Sequence, residues 1–145
     1  CLLVFNIKSK IVMSTNHLET IKQVAQHLEI IIEKIDGLVF WPITWDDSYH
    51  LLRELEAAVE QIDNLSEQLD DVLLDDDSFW NNPQNKDFVE NIEEANNCFT
   101  DFSCHFSRIY SALEEEGPRE NYEKDGEYLS AQLKKAKQHL DQVLI

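Results

Sequence analysis

Apolar side chains recur at alternating spacings of three and four residues in four separate segments of the chain. The first segment carries Leu18, Ile21, Ala25, Leu28, Ile32 and Ile35, and the second carries Leu51, Leu55, Ala58, Ile62, Leu65, Leu69 and Val72. The third carries Phe88, Ile92, Ala95, Phe99, Phe102, Phe106, Ile109 and Leu113, and the fourth carries Leu129, Leu133, Ala136, Leu140 and Val143. This spacing places apolar residues on one face of an α-helix, so it predicts four amphipathic helices.

Glycine and proline divide the four segments at three places: at Gly37 and Pro42, at Pro83, and at Gly117 with Pro118. Pro118 suits the first turn of the last helix, because proline is tolerated there. Short connections favour antiparallel neighbours, and the segments predict long helices of roughly 23 to 33 residues. We therefore expect an all-α fold, an antiparallel up-down-up-down four-helix bundle with long helices. Two helical hairpins, or two chains sharing one bundle, are variants of it.

The second segment carries apolar residues beyond its main stripe, namely Leu52, Val59, Leu73 and Leu74. This wider apolar face leaves room for a partner helix, so self-association, as in a homodimer, is an open alternative.

The length of 145 residues fits one domain. We expect residues 14–145 to form a single helical-bundle domain and residues 1–13 to be an amino-terminal extension, with Met13 as the natural start. The longest apolar runs are shorter than about 18 residues, so no membrane-spanning helix is expected. Three cysteines make no disulfide framework, which favours a reducing compartment and hence the cytoplasm.

The chain is strongly acidic, with 29 Asp and Glu against 12 Lys and Arg and a net charge of -17. Residues 46–77 hold twelve of the acids and a single base, Arg53. This balance argues against direct binding of nucleic acid or of an anionic membrane, both of which require cationic side chains. It leaves a basic protein partner, a cation, or an acidic face that is merely solvated.

The segment "GLVFWPITWDD", residues 37–47, is more aromatic than its surroundings. Trp41 and Trp45 stand beside Asp46 and Asp47. One interpretation is that the indoles close one end of the core, since aromatic side chains bring a large apolar area. The other is a binding site, because exposed tryptophans within a polar rim dominate protein interfaces.

Acidic residues along and after the second helix complete the candidate protein-binding set: Asp63, Asp70, Asp71, Asp75, Asp76 and Asp77. The last three follow one another where the helix should end, and carboxylates at a helix C-terminus oppose its dipole. Calcium, which takes carboxylate and amide oxygens, is one candidate ligand for them, although the spacing of an EF-hand loop is absent. A basic partner and a solvated turn are the other interpretations.

No pattern of catalytic, cofactor-binding or metal-binding residues stands out. The Glu-x-x-His pair of di-iron bundles does not occur, and the five histidines include no pair four residues apart. "HFSRIYS" places Arg108 three residues after His105, a spacing also found in histidine phosphotransfer domains. Ile109, however, occupies the position where those domains have a small glycine.

These observations predict a non-enzymatic, acidic helical module that binds a basic protein, as an inhibitor, an immunity-type protein or an adaptor. The first alternative is a structural or self-associating bundle. The second is a histidine phosphotransfer-like module that uses His105.

Overall fold

Four α-helices make up almost all of the computed structural model, which describes residues 15–40, 45–75, 81–116 and 122–144. They are α1 (Thr15–Asp36), α2 (Trp45–Asp75), α3 (Lys86–Glu116) and α4 (Glu123–Leu144). A single 3-10 turn, Pro83–Asn85, leads into α3. These residues contain no strand. The predicted all-α class is therefore confirmed.

The four helices pack in a ring. α1 contacts α2 and α4, and α3 also contacts α2 and α4, so α2 and α4 lie diagonally opposite each other. This packing is that of a four-helix bundle, as the apolar spacing predicts.

Contacts between neighbouring helices join residues in opposite order along the chain. His105 and Asn91 of α3 contact Asp125 and His139 of α4, respectively. Between α2 and α3, Ser103 contacts Asp63, and Asn96 contacts Asp70. At these pairs the helices run antiparallel, which suits their short connections.

Most of the predicted apolar positions form the core. In α2 every one from Leu51 to Val72 is buried, and so are all those of α4. In α3 those from Ile92 to Ile109 are buried and Phe88 is partly covered, whereas the side chain of Leu113 lies outside the described residues. In α1 the predicted Leu18 and Ile32 are only partly buried, and Val24 and Ile31, outside the predicted stripe, are buried instead.

Most of the wider apolar face of α2 is also used inside the bundle, because Leu52 is buried and Val59 and Leu73 pack against the core. Leu74 alone among these four residues stays exposed.

Pro118 itself lies outside the described residues, and α4 begins later than predicted, at Glu123, after the non-helical Tyr122. The backbone N–H of Tyr122 donates instead to the carbonyl oxygen of Phe40, at 2.7 Å. The Tyr122 side chain is 2% exposed. A contact between the segment after α1 and the residue before α4 therefore lies at the point where the last helix begins.

Phe40 and Tyr122 close this end of the core. Phe40 packs against the core cluster and against Gly126 in the first turn of α4. Trp45 does not belong to this closure, because half of its surface (50%) is exposed. Trp41 lies outside the described residues.

Candidate functional site

The two middle helices extend past the shorter ones at the end of the bundle that Phe40 and Tyr122 close. α2 and α3 have 31 residues each, whereas α1 and α4 have 22. The last turn of α1 pairs with Glu54 of α2, and the first turn of α4 pairs with His105 of α3. Residues 45–53 and 106–116 lie beyond these pairs along α2 and α3. Several of their side chains are exposed, among them Trp45, Tyr49 and Tyr110.

An aromatic groove lies between α2 and α3 at this projecting end. Trp45, Tyr49 and Leu52 of α2 and Tyr110 of α3 form its apolar surface, with a volume of about 570 Å³. The rings of Trp45 and Tyr49 lie 6.0 Å apart between centroids and are 50% and 53% exposed. A shallow apolar groove with exposed indole and phenol rings is typical of a surface that receives an anchor side chain.

Charged side chains surround the aromatic groove. Arg53, Glu56 and Glu114 stand at its rim. A hydrogen bond to the Glu114 carboxylate, together with its charge, raises the pKa of the Tyr110 hydroxyl above the ordinary value of 10.0.

An acidic stripe continues from the aromatic groove along α2. It consists of Glu56, Glu60, Asp63, Glu67 and Asp70, which follow one another at spacings of four and three residues and are all exposed. At about 100° of rotation per residue, these five positions and the three α2 residues of the groove share one face of the helix, roughly 80° wide. The five acids span ~21 Å of the helix at ~1.5 Å per residue.

No Lys–carboxylate ion pair within the described residues includes a member of the acidic stripe. In the described part of the chain, the Lys–carboxylate ion pairs are Lys34–Glu54, Lys86–Glu90, Lys134–Asp36 and Lys137–Asp141, none of which includes a stripe residue. Like charges three or four residues apart on a helix cost roughly 0.2–0.5 kcal/mol per pair. The stripe is therefore a feature that helix stability alone does not favour.

Two carboxylates of the stripe are held in position by neutral groups of α3. The Ser103 hydroxyl donates to Asp63 Oδ1 at 3.2 Å, and the Asn96 amide donates to Asp70 Oδ1 at 2.7 Å. The Asn96 amide oxygen in turn accepts a hydrogen bond from Ser66 of α2. These contacts orient the carboxylates but leave their charge in place.

The structure brings only some of the predicted site residues together. Asp63 and Asp70 lie on the acidic stripe and Trp45 lies in the aromatic groove. Asp46 and Asp47 occupy the first turn of α2. Their carboxylates stabilise the helix there through a favourable interaction with the positive end of its dipole. Asp71 is not a member of the stripe and lines a different pocket, between α1 and α2, with His17 and Gln68.

The remaining predicted residues cannot be placed in the same way. Asp75 is the last residue of α2, and its side chain lies outside the described residues, as do Trp41, Asp76 and Asp77.

Several residues of the site were missed in the sequence: Tyr49, Tyr110, Glu56, Glu60, Glu67 and Glu114. The spacing of the acids at four and three along one helix was a readable signal, since it repeats the apolar pattern on another face. The position of Tyr110 carried no such signal, because only the packing of α3 on α2 brings it to Trp45 and Tyr49.

His105 is enclosed between α3 and α4. Its Nε2 atom lies 2.8 Å from Asp125 Oδ1, and its ring lies 4.4 Å from that of Tyr128 between centroids. The side chains of His105 and Asp125 are 20% and 18% exposed. This arrangement joins the two helices and leaves little of the imidazole open to another molecule.

The described residues include no cluster of three or more His, Cys, Asp or Glu side chains that could hold a metal ion. None of the described helices is long and apolar enough to cross a membrane.

No protein-family model matches this chain, and neither a curated protein nor a solved structure is significantly similar to it.

Proposed function

We propose that this chain is a non-enzymatic binding module for a basic protein, acting as an inhibitor or adaptor. The observation that carries the proposal is the continuity of the aromatic groove with the acidic stripe on one face of α2. A groove of exposed rings suits an apolar anchor, and carboxylates without cationic partners suit Lys and Arg side chains around it. The groove and the stripe together indicate a partner that is basic and carries a large apolar residue.

The charge of the stripe supports this proposal over self-association through the same surface. A second copy would bring five carboxylates against five, within a complex of two chains that each carry a net charge of -17. Like charges facing each other across an interface cost several kcal/mol. A homodimer formed through another face stays an alternative.

The enclosed position of His105 supports a binding role over phosphotransfer. A phosphate-carrying histidine needs an open ring nitrogen, and Nε2 of His105 contacts Asp125. Its small exposed fraction is that of a side chain that joins two helices. The proposal also includes a cytoplasmic location, because the few cysteines suggest a reducing compartment.

The test is affinity capture with matched charge variants. The tagged protein is incubated with lysate of its own cells, eluted with a salt gradient, and bound proteins are identified by mass spectrometry. The stripe variant Glu60→Gln/Asp63→Asn/Glu67→Gln is compared with Glu29→Gln/Glu33→Gln/Glu94→Gln, which removes the same charge from exposed positions elsewhere. We expect a basic protein that elutes at moderate salt from the native chain and from the control.

The amount of that protein captured by the stripe variant should be lower than the amount captured by the control variant by a factor of about ten or more. Equal capture by both variants would mean that general acidity, and not this site, attracts the partner. If the tagged protein captured only untagged copies of the same chain, the self-associating alternative would be supported.

A further inference from the structure

We infer that the segment bound by this site is a basic amphipathic α-helix that lies along the seam between α2 and α3. It would place one large apolar side chain in the aromatic groove and Lys or Arg side chains, at spacings of three and four, on the acidic stripe. The inference rests on the proposed function and specifies the form of the partner. The spacing of the stripe, the side chains beside it and its distance from the groove each support this form.

The spacing of the stripe fits a helical partner better than an extended one. Consecutive acids are ~5.3 Å apart along α2, at ~1.5 Å per residue. A helix with basic residues every three or four positions has the same interval, so five charges stay in register over ~21 Å. An extended strand presents alternate side chains every ~6.7 Å, which covers ~27 Å in the same four steps. Its charges would be out of register by a whole interval at the end of the stripe.

The side chains of α3 beside the stripe are small and uncharged, which leaves space for a helix. Asn96, Thr100, Ser103 and Ser107 follow one another along this side of α3. The hydroxyls of Thr100 and Ser107 donate to carbonyl oxygens of their own helix, both at 3.2 Å. Helices pack at axial distances of ~8–10 Å, depending on the side chains at the contact, and small ones permit the closer approach.

The distance from the groove to the end of the stripe sets the length of the bound segment. Tyr49 and Asp70 are separated by ~31 Å along α2 at ~1.5 Å per residue, which a helix of about 20 residues spans. The apolar anchor should precede or follow the nearest basic residue by about seven positions, the separation of Tyr49 from Glu56. Both helix directions satisfy this spacing.

The occupant is a different chain and not a second copy of this one. Among the described helices, α4 is the richest in lysine, but Lys134 and Lys137 already pair with Asp36 and Asp141. Four acids on α4 balance its four lysines. No described helix offers a basic stripe that would match the acidic stripe of α2.

The test uses three designed peptides of about 20 residues with identical charge, each with one leucine and five lysines on an alanine and glutamine background. In the first peptide the lysines follow the four-and-three spacing with the leucine about seven positions away. In the second the same lysines are distributed around the whole helix. The third is the first peptide with two central prolines, which prevent the helix. Affinity is measured by fluorescence anisotropy with the full chain.

We expect the first peptide to bind at least about ten-fold more tightly than the other two. The seam is tested with Thr100→Trp, which fills it without changing the charge, against Gln138→Trp at an exposed position on α4. Thr100→Trp should weaken the first peptide about ten-fold, and Gln138→Trp should leave it unchanged. Circular dichroism and urea unfolding verify that both variants are folded.

Failure of this inference and failure of the proposed function give different results. Equal affinity of the three peptides, all weakened by the stripe variant of the capture experiment, would overturn the helical partner and leave a basic partner in place. If the stripe variant binds every peptide as tightly as the native chain does, both proposals fail.

Discussion

The ring of Phe40 lies against the backbone of Gly126, across the end of the bundle. A Cβ atom added to Gly126 would stand 2.6 Å from Cδ2 and 2.8 Å from Cγ of that ring. Since Cγ lies near the base of the side chain, a small rotation of the ring cannot relieve the clash. Together with the hydrogen bond from Tyr122 to Phe40, this contact fixes the segment after α1 to the start of α4.

Gly126→Ala should therefore lower the free energy of unfolding by about 1–3 kcal/mol, the usual cost of overpacking. Alanine gains ~1 kcal/mol of helix propensity over glycine, so a net loss would show that the Phe40 contact outweighs it. Urea unfolding followed by circular dichroism measures the difference. Gly37→Ala is the control, because its added Cβ would lie an ordinary 3.5 Å from the nearest atom, Glu33 O. A variant at Gly126 as stable as the native chain would contradict the prediction.

Trp45→Ala should weaken binding of the captured partner, or of the first designed peptide, by at least about ten-fold. Aromatic residues that become buried at the centre of an interface contribute ~2 kcal/mol or more to binding. The free energy of unfolding should change by less than about 1 kcal/mol, because the side chain is 50% exposed in the free protein. Fluorescence anisotropy and urea unfolding give the two values. Val39→Ala, which removes an exposed apolar side chain at the same end of the bundle, should change neither. Equal losses in the two variants would exclude the groove as the anchor site.

Glu60→Gln/Glu67→Gln should make the free protein more stable while it weakens partner binding. These two changes remove all four repulsive pairs of consecutive carboxylates within the acidic stripe. Each such pair destabilises the helix by roughly 0.2–0.5 kcal/mol. Urea unfolding at low salt should show a gain of about 1 kcal/mol that shrinks as salt screens the repulsion. Glu90→Gln, which breaks the ion pair with Lys86, should have a small effect of the opposite sign. A loss of stability in the double variant would mean that the stripe carboxylates make stabilising contacts.

Ser130→Ala should raise the pKa of Asp36 towards its ordinary value of 3.8. The hydrogen bond from Ser130, followed by that from Lys134 and its charge, lowers this pKa in the folded chain, against an opposing effect of desolvation. A lowered carboxyl pKa adds stability above the unfolded pKa, and this contribution disappears as the pH falls through the folded value. The native chain should therefore exceed the variant in stability above about pH 5 and lose that part of its advantage on acidification.

NMR titration of the Asp36 carboxyl carbon checks the pKa, and urea unfolding between about pH 2 and 6 checks the stability. Lys134→Met should raise the same pKa as well, because the hydrogen bond and the charge of Lys134 both lower it. An unchanged Asp36 pKa in Ser130→Ala would contradict the prediction.

The helices and their core could be predicted because they depend on local spacing. The spacing of the apolar residues from Leu51 to Val72 indicates which face of α2 is buried, and this does not depend on knowing which helix packs against it. The end of the bundle could not be predicted, because Tyr122 and Gly126 are positioned by a contact with Phe40, more than eighty residues earlier in the chain. The aromatic groove could not be predicted for the same reason, since the register of α3 against α2 decides that Tyr110 lines the same groove as Trp45.

The diagonal placement of α2 and α4 gives the molecule a transverse electric dipole. α2 carries ten acids and one base, whereas α4, on the far side of the ring, carries four of each. The field of a positively charged molecule exerts a torque on this dipole and turns the α2 side towards that molecule. The effect extends to separations of about one Debye length, ~8–10 Å. A basic partner would thus meet the groove and stripe in the correct orientation before the first side chains touch.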